Sequence, residues 1–176
     1  RVLFRSVLAI LLSVGIYFLN KPLGDIPALG MFLSPTHGFW KSTSVKEIRN
    51  ASFEIKCIKG NATVVYDEMA IPHIFADNEE DLMFAQGYVE AKDRLWQMEF
   101  QMHAAAGRLT ELVGEKALSL DRFSRRIGIV RAAEKSLVEM EKNPISKMVV
   151  ESFSAGVNAY INQLDEADLP IEYKLI

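Results

Sequence analysis

A chain of 176 residues, about half of them apolar, is long enough to bury a core and reads as one domain or a piece of a larger protein. Its net charge of −3 comes from interspersed acids and bases, with no basic block, no aromatic-basic interleaving and no acidic tail, which argues against nucleic acid as a partner. Cys57 is the only cysteine, so no disulfide forms within the chain and no CxxC metal or redox pair exists; a buried free thiol is expected.

In chain order, residues 1–20 read as a signal peptide or signal anchor. The uncharged run VLAILLSVGIYFL, Val7 to Leu19, is shorter than the roughly 20 residues of a comfortable membrane span and close to a signal-peptide apolar core. The following residues lack the small-x-small pattern of a cleavage site, which favours retention as an anchor facing the periplasm over release into it; a buried core helix is the other reading. The opening Arg1 to Ser6, RVLFRS, resembles a translated sequencing-adapter end, which would make these six residues an artefact and the chain a gene fragment. Residues 21–50, rich in Pro, Gly and Ser and without periodicity, read as a linker or extended arm whose apolar residues lie against a surface.

Residues 51–176 carry the pattern of a folded region. Phe53, Ile55 and Cys57 alternate with Ser52, Glu54 and Lys56, as in a half-buried strand, and Gly60-Asn61 supplies a tight turn before ATVVYD, so 52–67 predicts a hairpin. Pro72 biases Ile71 toward extended geometry, and HIFA returns to strand character. Asn78 then offers an N-cap, with Glu79, Glu80 and Asp81 in the first turn, where the helix dipole favours negative charge. A long helix follows to Gly107, with Leu82, Ala85 and Val89 on one stripe and Leu95, Met98, Met102 and Ala105 on another. Gly87 inside it costs roughly 1 kcal/mol relative to Ala, which implies another backbone packed close by.

Further helices are predicted over RLTELVG, over EKALSLDRFSRRIG and from Arg131 to Lys142, the RFSRR charges forming a solvated face. Asn143-Pro144 starts a last helix with the apolar series Val149, Phe153, Val157, Tyr160 and Leu164. The fold class is therefore α+β, hairpin strands followed by a helical region.

Motifs of chemistry are sparse. There is no P-loop, GxGxxG, HExxH, GxSxG or SxxK. His37, His73 and His103 lack metal-ligand spacing and read as surface or hydrogen-bonded structural residues. Asp93-Arg94 has no nucleophile or second carboxylate nearby and reads as a structural ion pair or cap. No catalytic, cofactor-binding or metal residue is assigned on this chain. A membrane-anchored helical interaction domain without catalysis is the alternative to an enzyme fragment, and the downstream reading frame distinguishes the two.

The stretch from Val64 to Gly114 resembles the start of the penicillin acylase family of N-terminal nucleophile hydrolases. The pattern is carried by Asp67, Pro72-His73-Ile74, Gly87-Tyr88, Asp93-Arg94-Leu95-Trp96-Gln97-Met98, Gly107-Arg108 and Glu111. Asp121-Arg122, Arg126-Ile127-Gly128, Ala155 to Tyr160 and Leu169 to Tyr173 follow in the family's order. Two positions depart from it: Tyr66 stands where Arg is usual and Ala70 where Gly is usual, which puts an ion pair and the local turn in question.

The resemblance implies the αββα architecture of these hydrolases and an exported precursor that cuts itself into α and β chains. The serine freed at the β-chain N-terminus attacks a linear amide of an N-acyl substrate: a penicillin, a cephalosporin, an acyl-homoserine lactone or similar. It assigns the serine, the oxyanion hole and the glutamate of a structural calcium to positions outside this chain. The partners so implied are the β chain of the same precursor, a small N-acyl substrate and a membrane tether through the apolar segment.

Overall fold

The computed structural model describes residues 2–23, 26, 28–36, 38–42, 50–165 and 168–175. These form two compact units, one from residues 1–45 with 164–176 and one from residues 46–163.

The first unit begins with helix α1, Val2–Leu19. Ile10, Leu11 and Leu12, spread around the axis by their consecutive positions, are 62%, 63% and 59% exposed, so α1 presents apolar side chains on every side. Among the described residues no helix is long and apolar enough to cross a membrane; at 1.5 Å per residue α1 reaches about 27 Å. Within the segment read as a linker or arm lie turns and the one-turn helix α2, Phe39–Ser42. Phe32 stacks on Phe39 with ring centres 4.9 Å apart, and the Trp40 Nε1 donates to the Ser34 carbonyl at 3.1 Å. Residues 43–49 of that segment, and His37, lie outside the described residues.

The second unit is a three-stranded antiparallel sheet covered on one face by helices. Strands β1 (Ser52–Lys56), β2 (Asn61–Tyr66) and β3 (Pro72–Ala76) run in the order β1-β2-β3. Alternation sorts β2: Ala62, Val64 and Tyr66 point into the core, while Asn61, Thr63 and Val65 point out. The hairpin turn lies earlier than Gly60-Asn61. Cys57 N donates to Gly60 O at 2.8 Å, and Asn61 already belongs to β2. Gly60 needs no positive φ there; the loop is instead held by Asp81, whose carboxylate accepts Lys59 N at 2.9 Å.

Cys57 is only half-buried, with Phe53 on the rim of the core rather than within it. Burial, and then the Asp81 charge, pushes its thiol pKa up and lowers the thiolate fraction. Native protein should therefore label slowly with iodoacetamide and rapidly once denaturant is added; equal rates in both conditions would contradict this register.

Helix α3, Glu79–Ala106, starts at Asn78, whose side chain accepts Asp81 N at 2.9 Å, and ends at Gly107 in the left-handed conformation, φ 67°. Helix α7, Pro144–Ile161, starts the same way, Asn143 accepting Ile145 N and Ser146 N. The two helices cross at small residues. A Cβ on Gly87 would collide with the Phe153 carbonyl, and one on Gly156 with that of Phe84, so each glycine admits the other helix's backbone. Phe84, Ala85 and Val89 join Ile55, Ala62, Val64 and Tyr66 in one core, and Ala155 and Ala159 of α7 pack against it.

Between α3 and α7 lie α4 (Thr110–Val113), α5 (Leu118–Ile127) and α6 (Ile129–Met140). The stretch EKALSLDRFSRRIG is not one helix: Glu115–Ala117 form a 3₁₀ turn and the α-helix begins at Leu118, after Gly114 at φ 76° and ψ −168° has redirected the chain. The stripe from Leu95 to Ala105 is at most half-buried, with Met102 64% exposed; burial on α3 ends at Ala91.

The turn from Asp67 to Pro72 replaces a usual glycine by Ala70, which sits at φ 60°. A side chain there meets the carbonyl crowding that makes left-handed backbone unfavourable by roughly 1–2 kcal/mol, while glycine adds unfolded-state freedom of about 0.4–1 kcal/mol. Ala70→Gly should therefore stabilise the unit by about 1 kcal/mol in denaturant titration; a destabilised variant would mean the turn has another conformation.

Candidate functional site

The acids and bases of residues 67–126 form structural ties. Asp67 accepts Met69 N at 2.8 Å and Ile71 N at 2.9 Å, and lies 3.3 Å from His73 Nε2, closing the turn before β3. Asp81, buried, joins the β1–β2 loop to the first turn of α3. Asp121, also buried, accepts Leu109 N and Thr110 N, each at 2.8 Å, and the Thr110 hydroxyl, so it caps α4 from α5. Arg125 Nε donates to Gly107 O at 2.7 Å, and Arg108 forms a two-pronged pair with Glu111 at 2.9 and 2.7 Å. His103 Nδ1 lies 3.0 Å from Glu99 O. Among the described residues no group of three or more His, Cys, Asp or Glu could hold a metal ion.

A cleft of about 1000 Å³ lies between the β2–β3 end of the sheet and the middle of α3. Tyr66, the last residue of β2, reaches into it and its hydroxyl donates to Asp93 Oδ2 at 2.8 Å. Lys92 Nζ lies 3.4 Å from that hydroxyl, 3.8 Å from Asp93 Oδ1, and within 4.8 and 4.9 Å of the Phe53 and Tyr66 ring centres. Burial, then the bond to Asp93, pushes the Tyr66 phenol well above its ordinary range, so it stays a neutral donor. Next to this knot α3 breaks: Arg94 has φ −141° and ψ 25°, with neither Pro nor Gly between Glu90 and Met98 to account for it. The hydrogen bond from Tyr66 fixes the last residue before the break.

Asp93 and Arg94 therefore do not pair with each other. Asp93 takes Tyr66 and Lys92, and Arg94 Nη1 donates to Gln97 Oε1 at 3.3 Å. The ion pair put in question by Tyr66 is replaced by a neutral hydroxyl with a lysine cation over its ring. The cleft wall holds no Ser, Thr, Cys or His, and its Lys92 and Asp93 are engaged with Tyr66 and with each other, so it suits binding better than nucleophilic attack. Sequence reading missed this cleft. Its signal was a polar stripe, Gln86, Glu90, Asp93, Gln97 and Gln101, at helical spacing beside the apolar stripe that drew attention.

A sheet layered with helices and motif acids spent on caps and turns is the arrangement of a scaffold. The family model described as penicillin amidase matches residues 61–176, and the chain belongs to that family. Among its relatives, penicillin acylase 2 proenzyme from Pseudomonas sp. (strain SE83) is 35% identical over 127 residues, 72% of this chain and 16% of the relative. The acyl-homoserine lactone acylase QuiP of Pseudomonas aeruginosa is 37% identical over 107 residues, 61% of this chain and 12% of the relative. The chain thus spans about one sixth or less of these relatives' length. The fold is that of a thermostable penicillin G acylase from Alcaligenes faecalis, with a TM-score of 0.57, 24% identity, 64% of this chain and 60% of that chain covered.

Proposed function

We propose that this chain is the N-terminal part of an exported proenzyme that hydrolyses a linear amide bond of an N-acyl substrate. The observation that carries the reading is the family match over residues 61–176, together with relatives that are acylases of penicillins and of acyl-homoserine lactones. The chemistry belongs to a part of the precursor outside this chain, where self-cleavage exposes a serine at a new N-terminus. A free α-amino group has a pKa of about 7.7–8.0 and can take the proton of its own serine hydroxyl, directly or through a water. Residues 51–163 would then hold the β chain in shape, which accounts for acids and bases spent on caps, and for the exposed apolar stripe of α3. The all-round apolar α1 suits an export segment, with retention at the membrane favoured over release.

The test is expression of the complete reading frame, assayed against a panel of penicillins, cephalosporins and acyl-homoserine lactones, beside residues 1–176 alone. Amide hydrolysis is expected from the processed two-chain product and not from the isolated chain. Activity of the isolated chain, or a complete gene product inactive on every N-acyl amide, would overturn the reading. Fractionation of the tagged full-length protein tests export: recovery in the cytosol would count against both released and anchored forms.

A further inference from the structure

Helix α3 carries two charges in the cleft wall that the knot at Tyr66 does not use. Glu90, half-buried, and Arg94 stand four residues apart with the acid first, the spacing and order at which helical neighbours pair best. The pair does not form. Arg94 has left helical geometry, φ −141° and ψ 25°, and its Nη1 donates to the neutral Gln97 Oε1 at 3.3 Å. Lys92 and Asp93 meanwhile answer each other and Tyr66. Among the described residues, therefore, neither Glu90 nor Arg94 lies within ion-pair distance of an opposite charge. The wall presents a carboxylate and a guanidinium about one helical turn apart, each without a counter-charge.

Apolar surface lies beside them: Pro72 and Ile74 on the sheet side, Val89 and Met98 on the helix. A metal ion needs more ligands than Glu90 supplies. A simple anion answers only Arg94, and a simple amine only Glu90. A zwitterion with an apolar body answers both charges and the apolar surface together. We propose that this cleft binds a free α-amino acid with an apolar side chain, its ammonium on Glu90, its carboxylate on Arg94 and its side chain against Pro72, Ile74 and Met98. Arginine suits that part, because its planar fork can take a carboxylate in two parallel bonds. The inference goes beyond the amidase reading and stands without it, since every group it uses belongs to this chain.

Calorimetric titration of the full-length protein with leucine tests it, beside leucinol, which keeps the ammonium and lacks the carboxylate. Leucine is expected to bind at millimolar concentration or below, and leucinol at least about tenfold more weakly, because it forfeits a charge-assisted contact. Glu90→Gln and Arg94→Gln should each weaken leucine binding at least about tenfold. Glu90 ties no other described side chain, so Glu90→Gln should leave the denaturant midpoint in place, and its loss of binding then reports the site rather than unfolding. No binding of leucine up to about 20 mM, leucinol matching leucine, or leucine binding untouched by both substitutions would each overturn the proposal. Hydrolysis of N-acyl amides by the same preparation is read separately. An inactive protein whose leucine binding is lost in Glu90→Gln supports the site while contradicting the proposed activity, and an active protein that ignores leucine does the reverse.

Discussion

Gly156→Val is expected to separate α3 from α7 and to destabilise the 46–163 unit by about 3 kcal/mol or more, a large share of the roughly 5–15 kcal/mol that holds a typical domain together. A Cβ at Gly156 would sit 2.8 Å from the Phe84 carbonyl carbon and 2.9 Å from Tyr88 N, and backbone on a helix cannot move aside as a flexible side chain would. Gly87 faces the same limit from the other side, its Cβ falling 2.9 Å from the Phe153 carbonyl carbon, so Gly87→Val should behave alike. The penalty of a glycine inside each helix, about 1 kcal/mol, is thus offset by the close approach it permits. Denaturant titration checks both variants. A midpoint within error of the parent would mean that the crossing is looser than described.

Acid should unfold the same unit in a defined window. Asp67, Asp81 and Asp121 all have folded carboxyl pKa values below the ordinary range: Asp67 mainly through Ile71 N–H, and Asp81 mainly through Lys59 N–H against the opposing effect of burial. For Asp121 burial is the largest influence and pushes upward, but the Thr110 hydroxyl and the 109 and 110 amides together outweigh it. A carboxyl whose pKa is depressed by folding stabilises fully above its unfolded pKa, about 3.9, and loses that contribution as pH falls through the folded value. Stability set by these groups should therefore be flat from about pH 5 to 7 and fall steeply below about pH 4. Asp121→Ala, which strips α4 of its cap, should lower stability at pH 7 and flatten the fall. Unchanged acid sensitivity in that variant would contradict the assignment.

Much of this fold was legible because single residues carried unambiguous signals. Asn78 and Asn143 marked helix starts through their capping side chains, Gly107 marked a helix end, and Gly87 announced a close neighbour without revealing which. The identity of that neighbour, α7, depends on contacts far apart in sequence, which periodicity does not encode. The β1–β2 turn was misread by its glycine because the loop takes its shape from Asp81, more than twenty residues away. For the same reason the break at Arg94 left no local trace: its neighbour Asp93 is tied to Tyr66 across the sheet. Beyond that break the stripe from Leu95 to Ala105 is at most half-buried among the described residues.

The central claim is that this chain supports a nucleophile carried elsewhere in its precursor. N-terminal sequencing of the purified full-length product tests it most directly, combined with alanine replacement of the serine so identified. The account predicts two chains, the second beginning with serine, and an uncut, inactive precursor when that serine is replaced. A single uncut chain that hydrolyses N-acyl amides, or a second chain beginning with a residue that has no nucleophilic side chain, would contradict it.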